Sequence, residues 1–223
     1  MRNIGVRSAA VGVALALAAC ASPGALGPAP TLVPTPAPTA SVATPPPSAA
    51  PSPTSQLPAR PSAGCATDAS SATPGSVTVN VGGRSRDALV HLPYGAGRGP
   101  LPLVLLFHSW AGNPEDVAAD TAFSSLADRA GFVAVYPRAI GDPHTWDLAG
   151  TSDIAFVAAL LTTLEAVVCI DLSRVFAAGF SMGGGMANVV GCRLADRIAA
   201  IASVSGLYGP RWGEPCQPSR PAL

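Results

Sequence analysis

The pentapeptide at residues 179–183, Gly-Phe-Ser-Met-Gly, carries the residue best suited to covalent chemistry. It matches G-x-S-x-G, in which a serine sits on a sharp turn between a strand and a helix, so that its hydroxyl projects over a sheet edge. Gly179 and Gly183 leave room for the backbone to fold that tightly. The pattern predicts Ser181 as the nucleophile of an acyl transfer. An ordinary helix N-cap at Ser181 is the structural alternative.

Acyl transfer also needs N–H donors for the anion that develops on the acyl oxygen. A helix predicted to begin at Met182 points its free N–H groups toward that anion, so the Met182 N–H is the first predicted donor. The second is the N–H of Trp110, in the loop after the first central strand. We predict that His108, in the same loop, hydrogen-bonds within the loop rather than acting as a base. Trp146 is predicted to be buried packing, although a pocket aromatic is the alternative.

Strands and helices alternate around these residues. Strands at 77–81 and 86–92 flank a glycine pair, and later apolar strands at 103–107, 132–136, 175–180 and 198–205 alternate with helices at 120–130, 154–168 and 182–195. Asp153 stands at the start of the second helix, where a carboxylate favours the helix dipole and can cap free N–H groups. The order predicts an α/β fold, with a doubly wound, mainly parallel sheet entered by an antiparallel hairpin.

The N-terminal residues predict export. Arg2 and Arg7 precede a short apolar run at residues 9–19, which is typical of a signal peptide and too short to span a bilayer. Residues 17–20 read Leu-Ala-Ala-Cys and resemble a bacterial lipobox, which predicts lipidation at Cys20; cleavage as an ordinary secretory signal is the alternative. Residues 21–63, rich in Pro, Ala, Ser and Thr, are predicted to be a disordered linker to a catalytic domain at 65–223. The protein is therefore expected at the cell surface or outside the cell, touching the membrane only through a lipid anchor.

Charge and cysteine content narrow the partners. The 13 basic and 13 acidic side chains give a net charge of zero without a dense block, which argues against nucleic acid and favours a neutral ligand. Export permits disulfides, so Cys65, Cys169, Cys192 and Cys216 are candidates for two bridges, in any of three connectivities. No cysteine or histidine pair has the spacing of metal ligands, so we predict no metal site. The oligomeric state is not predicted.

Several blocks together resemble a known family. Residues 103–110, 146, 153–161, 169–186 and 196–200 are similar to the esterases that include polyhydroxybutyrate depolymerases and feruloyl or acetylxylan esterases. The resemblance runs from Cys65 to the last residue. It implies an α/β-hydrolase fold and an exported serine hydrolase of polyester, aryl ester or polysaccharide ester, with no cofactor and with some of the four late cysteines bridged. In that family the loop before Trp110 usually reads His-Gly, whereas Ser109 stands at the glycine position here.

The base and acid of a catalytic triad are the missing parts. In this fold they follow the nucleophile in the order Ser, Asp or Glu, His. All three histidines, His91, His108 and His144, precede Ser181. The acidic residues after Ser181 are Asp196, in or just after the next helix, and Glu214.

We therefore expect that the triad Asp and His are not present in this chain, and that the chain is C-terminally truncated and lacks the last strands of the sheet. An unusual base, with His144 or His108 reaching Ser181 from a loop, is one alternative. Two others are a non-catalytic surface lipoprotein that keeps the hydrolase scaffold for binding, and an inactive fragment.

Overall fold

The computed structural model describes residues 58–66, 75–206 and 216–219, all in one compact unit. Its core is a sheet of six strands: β1 (Gly75–Val81), β2 (Arg84–His91), β3 (Leu101–Phe107), β4 (Val133–Pro137), β5 (Ile170–Phe180) and β6 (Ala200–Val204). Their spatial order is β1-β2-β4-β3-β5-β6. The pairs β1–β2 and β2–β4 are antiparallel, and the other three pairs are parallel. This confirms the predicted mainly parallel sheet with its N-terminal hairpin.

Four α-helices connect the strands: α1 (Pro114–Thr121), α2 (Phe123–Ala130), α3 (Ser152–Val167) and α4 (Met182–Arg193). The helix predicted at 120–130 is confirmed over α2, but α1 was missed, and its last two residues, 120 and 121, were included in the predicted helix. Asn113 begins α1 by accepting a hydrogen bond from the Asp116 N–H at 2.9 Å, and Pro114 follows at the first turn, where its missing N–H costs nothing. Ala122, at φ 51°, separates the two helices. None of the helices in the described part is long and apolar enough to cross a membrane.

The strands bury side chains on both faces of the sheet. Along β3, Leu103, Leu105 and Phe107 join a large apolar cluster with α3 and α4, whereas Leu106 joins a smaller one. That smaller cluster contains residues of α2 and β4, Ala127 and Tyr136 among them. Helices on both faces are what parallel strands with continuous apolar runs require. The sheet is thereby a rigid platform for loops at its carboxyl edge.

The segment before Cys65 differs from the predicted linker. The Ser62 N–H donates to the Ile170 carbonyl at 2.8 Å, and the Ser62 hydroxyl donates to the Val168 carbonyl at 2.8 Å. A bridge joins Pro61 to Asp171. The chain is thus held against the start of β5 several residues before Cys65. Hydrogen bonds between distant segments are not visible in composition, on which the boundary at residue 63 depended.

Two disulfides settle the open question of cysteine pairing. Cys65 bonds to Cys169 across 104 residues, and Cys192 bonds to Cys216 across 24 residues. The first joins a short 3₁₀ helix (Ala63–Ala66) to the residue just before β5. The second joins the last turn of α4 to residues 216–219. Of the three possible connectivities, the structure selects this one.

Asp153 does not act as the cap that the sequence predicted. It lies fully buried in the first turn of α3, where its Oδ1 pairs with Arg86 Nη2 at 2.6 Å. Its Oδ2 accepts the Asp147 N–H at 2.6 Å. The N-cap is Thr151, which makes no side-chain cap bond. Asp153 thus stays in the first turn, where the helix dipole favours a carboxylate, but its oxygens bind Arg86 on β2 and the Asp147 N–H rather than capping α3.

Candidate active site

Ser181 stands at the turn between β5 and α4. Its backbone has φ 54° and ψ −119°, a region that non-glycine residues rarely adopt and that stores strain. The Ser181 N–H donates to the Val204 carbonyl at 2.9 Å, and the Ser181 carbonyl accepts the Gly185 N–H at 3.1 Å. The side chain makes no cap hydrogen bond with α4. A strained serine that leaves the helix uncapped has the geometry of a nucleophile elbow rather than of an ordinary N-cap.

The two glycines of the motif allow three backbone segments to meet at this turn. A Cβ added at Gly179 would overlap the carbonyl oxygen of Gly183. A Cβ added at Gly183 would overlap the carbonyl oxygen of Phe107 and lie 2.5 Å from that of His108. Only glycine permits such close approach. The first turn of α4 therefore lies directly against the end of β3 and the loop that follows it.

That loop, residues 108–112, is the predicted source of the second oxyanion donor. Two of its N–H groups are occupied: Ala111 donates to the His144 carbonyl at 2.9 Å, and Gly112 donates to the Ser109 carbonyl at 3.1 Å. No hydrogen bond within the described residues involves the N–H of Trp110 or of Met182, the first residue of α4. Neither N–H is therefore occupied by a hydrogen bond within the described part of the chain. Their direction toward an oxyanion stays a prediction.

His108 is buried within the loop, as predicted. Its Nδ1 lies 2.7 Å from the Ser109 carbonyl, so Nδ1 carries the hydrogen, and Nε2 accepts the Ala139 N–H at 3.1 Å. Both ring nitrogens are used in structural bonds. His108 therefore cannot take a proton from Ser181 without breaking one of these bonds.

Comparison with known proteins identifies the family. Residues 87–214 match the family model described as "Esterase PHB depolymerase". The chain belongs to this esterase family. The match confirms the resemblance seen in the sequence and covers the elbow, the loop at 108–112 and most of the sheet.

Relatives and solved structures agree with this membership. The chain is 36% identical over 124 residues to the "Bifunctional acetylxylan esterase/xylanase XynS20E" of Neocallimastix patriciarum, covering 56% of this chain and 18% of the relative. It is 34% identical over 146 residues to "Feruloyl esterase B" of Piromyces equi, covering 61% and 27%. The acetyl xylan esterase structure from Aspergillus awamori shares the fold, with a TM-score of 0.55, 20% identity and coverage of 62% and 56%. The chain thus spans well under two thirds of the length of each.

In this member of the esterase family, no hydrogen bond of the described residues joins Ser181 to a histidine. His144 Nδ1 lies 3.2 Å from the Gly112 carbonyl, and His91 Nε2 pairs with Asp128 at 3.0 Å. Asp196 lies beyond the end of α4. Among the described residues, no hydrogen bond identified brings a histidine or a carboxylate to Ser181, and Glu214 lies outside them. The described part also holds no group of three or more His, Cys, Asp or Glu side chains that could hold a metal ion.

A long apolar cavity of about 570 Å³ opens beside the elbow of this family member. Its floor is one face of β3, β5 and β6, and one wall is α1 with the loop at 108–112. Phe180 and Val204 on the floor are more than half exposed. The lining is mostly apolar, and Asp116 and Asp120 stand on its wall. Gly179 and Phe180, the residues before Ser181, line this cavity, whereas Ser181 itself does not.

Sequence reasoning missed Arg86. The alternation along β2 buries Arg86, Ala88 and Val90 on one face, so a charge occupies an inward position. That arginine in an otherwise apolar alternation was the available signal of a buried ion pair. The pairing with Asp153, 67 residues away, was not visible.

We expect His108 to make the stability of the protein depend on pH under mildly acidic conditions. Burial lowers the pKa of His108 below its usual 6.5, and the proximity of His144 and Arg138 acts in the same direction. Below about pH 6.5 the unfolded chain binds a proton that the folded protein excludes, so the free energy of unfolding falls as pH falls. Above that pH the contribution is constant. We expect the urea midpoint to drop between pH 6.5 and pH 5, a window that lies above ordinary carboxylate titration.

The variant His108→Gln removes this titration and is the control. Its urea midpoint should lie lower at pH 8, because the loop loses a hydrogen bond, but should vary less between pH 6.5 and pH 5. Equal pH dependence in both proteins would show that His108 does not carry the effect.

Proposed function

We propose that this protein hydrolyses carboxylic esters through an acyl-enzyme on Ser181. The observation that carries the proposal is the strained backbone of Ser181, which is held at a strand-to-helix turn without a capping role. Proteins keep such strain where function requires it. The names of the relatives, acetylxylan and feruloyl esterase, support the same chemistry.

The proposed reaction uses the elbow and the loop beside it. The Ser181 hydroxyl oxygen attacks the ester carbonyl carbon, and the N–H groups of Met182 and Trp110 hold the resulting oxyanion. Collapse expels the alcohol and leaves an acyl group on Ser181, which water then removes. The Ser181 proton must pass to a base, and none of the described contacts supplies one. How that proton is removed sets the rate that the chain reaches.

The proposed substrate is the ester of a neutral polymer or an aryl acid. A formal net charge of zero gives no electrostatic attraction for a polyanion. The apolar cavity beside the elbow offers surface for an uncharged group. We also propose that the protein is exported and lipidated at Cys20, and that a linker follows this residue. Residues 1–57 lie outside the described residues, so these two features stay predictions.

A fluorophosphonate probe tests whether Ser181 is an activated nucleophile in this chain, because phosphonylation needs a base to take the serine proton as well as oxyanion donors. We expect mass spectrometry of the digested protein to find the probe on Ser181, with labelling lost after heat denaturation. Pre-incubation with phenylboronic acid, which mimics the tetrahedral intermediate, should reduce labelling. No labelling of Ser181 above the denatured sample would refute the nucleophile assignment and favour a binding role for the scaffold.

A further inference from the structure

The loop at 108–112 is held in place by a second loop, residues 138–151, which we call the supporting loop. Four hydrogen bonds join them, one of which lies between His144 Nδ1 and the Gly112 carbonyl at 3.2 Å. The Ala139 N–H donates to His108 Nε2, the Trp146 indole N–H donates to the His108 carbonyl at 2.8 Å, and the Ala111 N–H donates to the His144 carbonyl. No strand or helix includes residues 108–112. Their conformation therefore depends on these contacts from the supporting loop.

The hydrogen bond from Trp146 holds a carbonyl at the start of the loop at 108–112. The His108 carbonyl that it holds belongs to the peptide unit that leads into Ser109 and Trp110. A peptide unit is planar, so fixing this carbonyl also fixes the direction of the Ser109 N–H. The same carbonyl lies against Gly183 in the first turn of α4. Trp146 thus sets the relation between the loop and the elbow.

The Trp110 N–H belongs to the next peptide unit, whose Ser109 carbonyl accepts hydrogen bonds from His108 Nδ1 and from the Gly112 N–H. The indole N–H therefore acts on Trp110 by holding His108 in place.

The Trp146 ring is itself fixed by its surroundings. It is almost fully buried, lies edge-on to Phe107 at 5.2 Å, and lies over His108 at 4.7 Å between ring centroids. An indole N–H in such a place needs an acceptor, and the His108 carbonyl is the acceptor it has. Neither partner of this hydrogen bond can therefore turn away without leaving a polar group unpaired.

The supporting loop is anchored at both ends by one guanidinium. Arg86 Nη2 donates to the Arg138 carbonyl at 3.0 Å and to Asp153 Oδ1 at 2.6 Å. Asp153 Oδ2 accepts the Asp147 N–H, next to Trp146. The Arg86 side chain also lies over the Phe156 ring at 4.1 Å. A continuous set of contacts thus runs from β2 through Asp153 and Trp146 to the His108 carbonyl.

We propose that Trp146 is a positioning residue: through its indole N–H it holds the loop at 108–112 so that the Trp110 N–H points at the oxyanion formed on Ser181. The inference rests on the proposed esterase function. It assigns Trp146 no contact with the substrate. It differs from a packing role alone, because packing requires the ring and positioning requires the N–H.

The variant Trp146→Phe separates the two roles, since it keeps an aromatic ring beside Phe107 and His108 and removes the donor. Hydrogen exchange of the Ala111 and Gly112 amides, which donate backbone hydrogen bonds in this loop, should speed up by about tenfold, while the amides of β3 change little. In hydrolysis of p-nitrophenyl acetate, kcat should fall by about tenfold with KM nearly unchanged, because the oxyanion contact strengthens only in the transition state.

Tyr136→Phe is the matched control, because it also removes one buried polar group from an aromatic ring. The Tyr136 hydroxyl bonds to Ser124 at 2.8 Å on the α2 side of the sheet, away from the supporting loop. We expect it to leave both the exchange at Ala111 and Gly112 and kcat unchanged. If Trp146→Phe does not fold, 3-benzothienylalanine at position 146 keeps the bicyclic shape and replaces the N–H by sulfur.

The two readouts distinguish failure of this inference from failure of the proposed function. Exchange at Ala111 and Gly112 that does not change, or that rises equally throughout the sheet, would overturn the positioning role. So would an equal loss of kcat in Trp146→Phe and Tyr136→Phe. A parent protein without hydrolysis would contradict the esterase proposal, whereas the exchange measurement would still decide whether Trp146 holds the loop.

Discussion

Ser181→Ala should lower the rate of p-nitrophenyl acetate hydrolysis by at least about a thousandfold for a working serine hydrolase, leaving only the residual catalysis that the oxyanion donors supply. Alanine lacks the hydroxyl oxygen to which the acyl group would be transferred, so the acyl-enzyme cannot form. The two N–H donors are still present in the variant. The test compares the hydrolysis rates of parent and variant proteins that have been purified by the same procedure. Ser125→Ala, on the exposed side of α2, is the control and should keep the parent rate.

Stability measurements on the same position test whether the strain is real. Alanine keeps the Cβ, so Ser181→Ala should unfold at nearly the parent urea concentration. Ser181→Gly removes the Cβ and should stabilise the fold by about 1 kcal/mol, because φ 54° and ψ −119° then cost little. A parent rate in Ser181→Ala would show that another group carries the hydrolysis. A destabilised glycine variant would argue against strain at this turn.

Asp153→Asn should destabilise the protein by about 3–5 kcal/mol, because it leaves the Arg86 charge buried without a counter-charge. The two side chains are 3% and 0% exposed, so water cannot replace the lost carboxylate. Asparagine has nearly the same shape as aspartate, so the packing around Phe156 is kept. The measured change then reflects the lost negative charge rather than a change in side-chain volume. Urea unfolding followed by circular dichroism measures the difference.

The Arg197–Glu165 ion pair is the control, because it is partly exposed to solvent whereas the Arg86–Asp153 pair is buried. Its atoms lie 2.7 Å apart, but both side chains are 21% exposed. Glu165→Gln should therefore cost no more than about 1 kcal/mol. The double variant Arg86→Met with Asp153→Leu should recover part of the loss, since no buried charge remains. Similar losses for Asp153→Asn and Glu165→Gln would mean that burial does not govern the cost at Asp153.

Local sequence patterns were sufficient for the sheet and the elbow. The alternation of apolar runs and helical periods predicted the mainly parallel sheet, because each strand and helix is defined by its own residues. G-x-S-x-G predicted the turn at Ser181, because the overlap that excludes a side chain at Gly179 involves Gly183, four residues later. The one helix that was misjudged, α1, also had a local signal in Asn113 and Pro114.

The interactions around the site were decided by pairs distant in the chain. Trp146 and the His108 carbonyl are 38 residues apart, Arg86 and Asp153 are 67 apart, and Cys65 and Cys169 are 104 apart. The sequence left the cysteine pairing open among three connectivities, and it did not indicate the other two pairs. Only the packing of β2, α3 and the two loops on one sheet brings one partner within reach and leaves the others distant.

By itself, the sequence determined the order of strands and helices, the strained turn at Ser181 and the position of all three histidines before it in the chain. The tertiary structure decided that His108 is structural, that Asp153 is an ion-pair partner rather than a cap, and that the supporting loop holds the residues beside the elbow. The physical reason is range. Backbone geometry and periodicity depend on neighbours in the chain, whereas burial, pKa and hydrogen-bond choice depend on which segments the folded sheet places side by side.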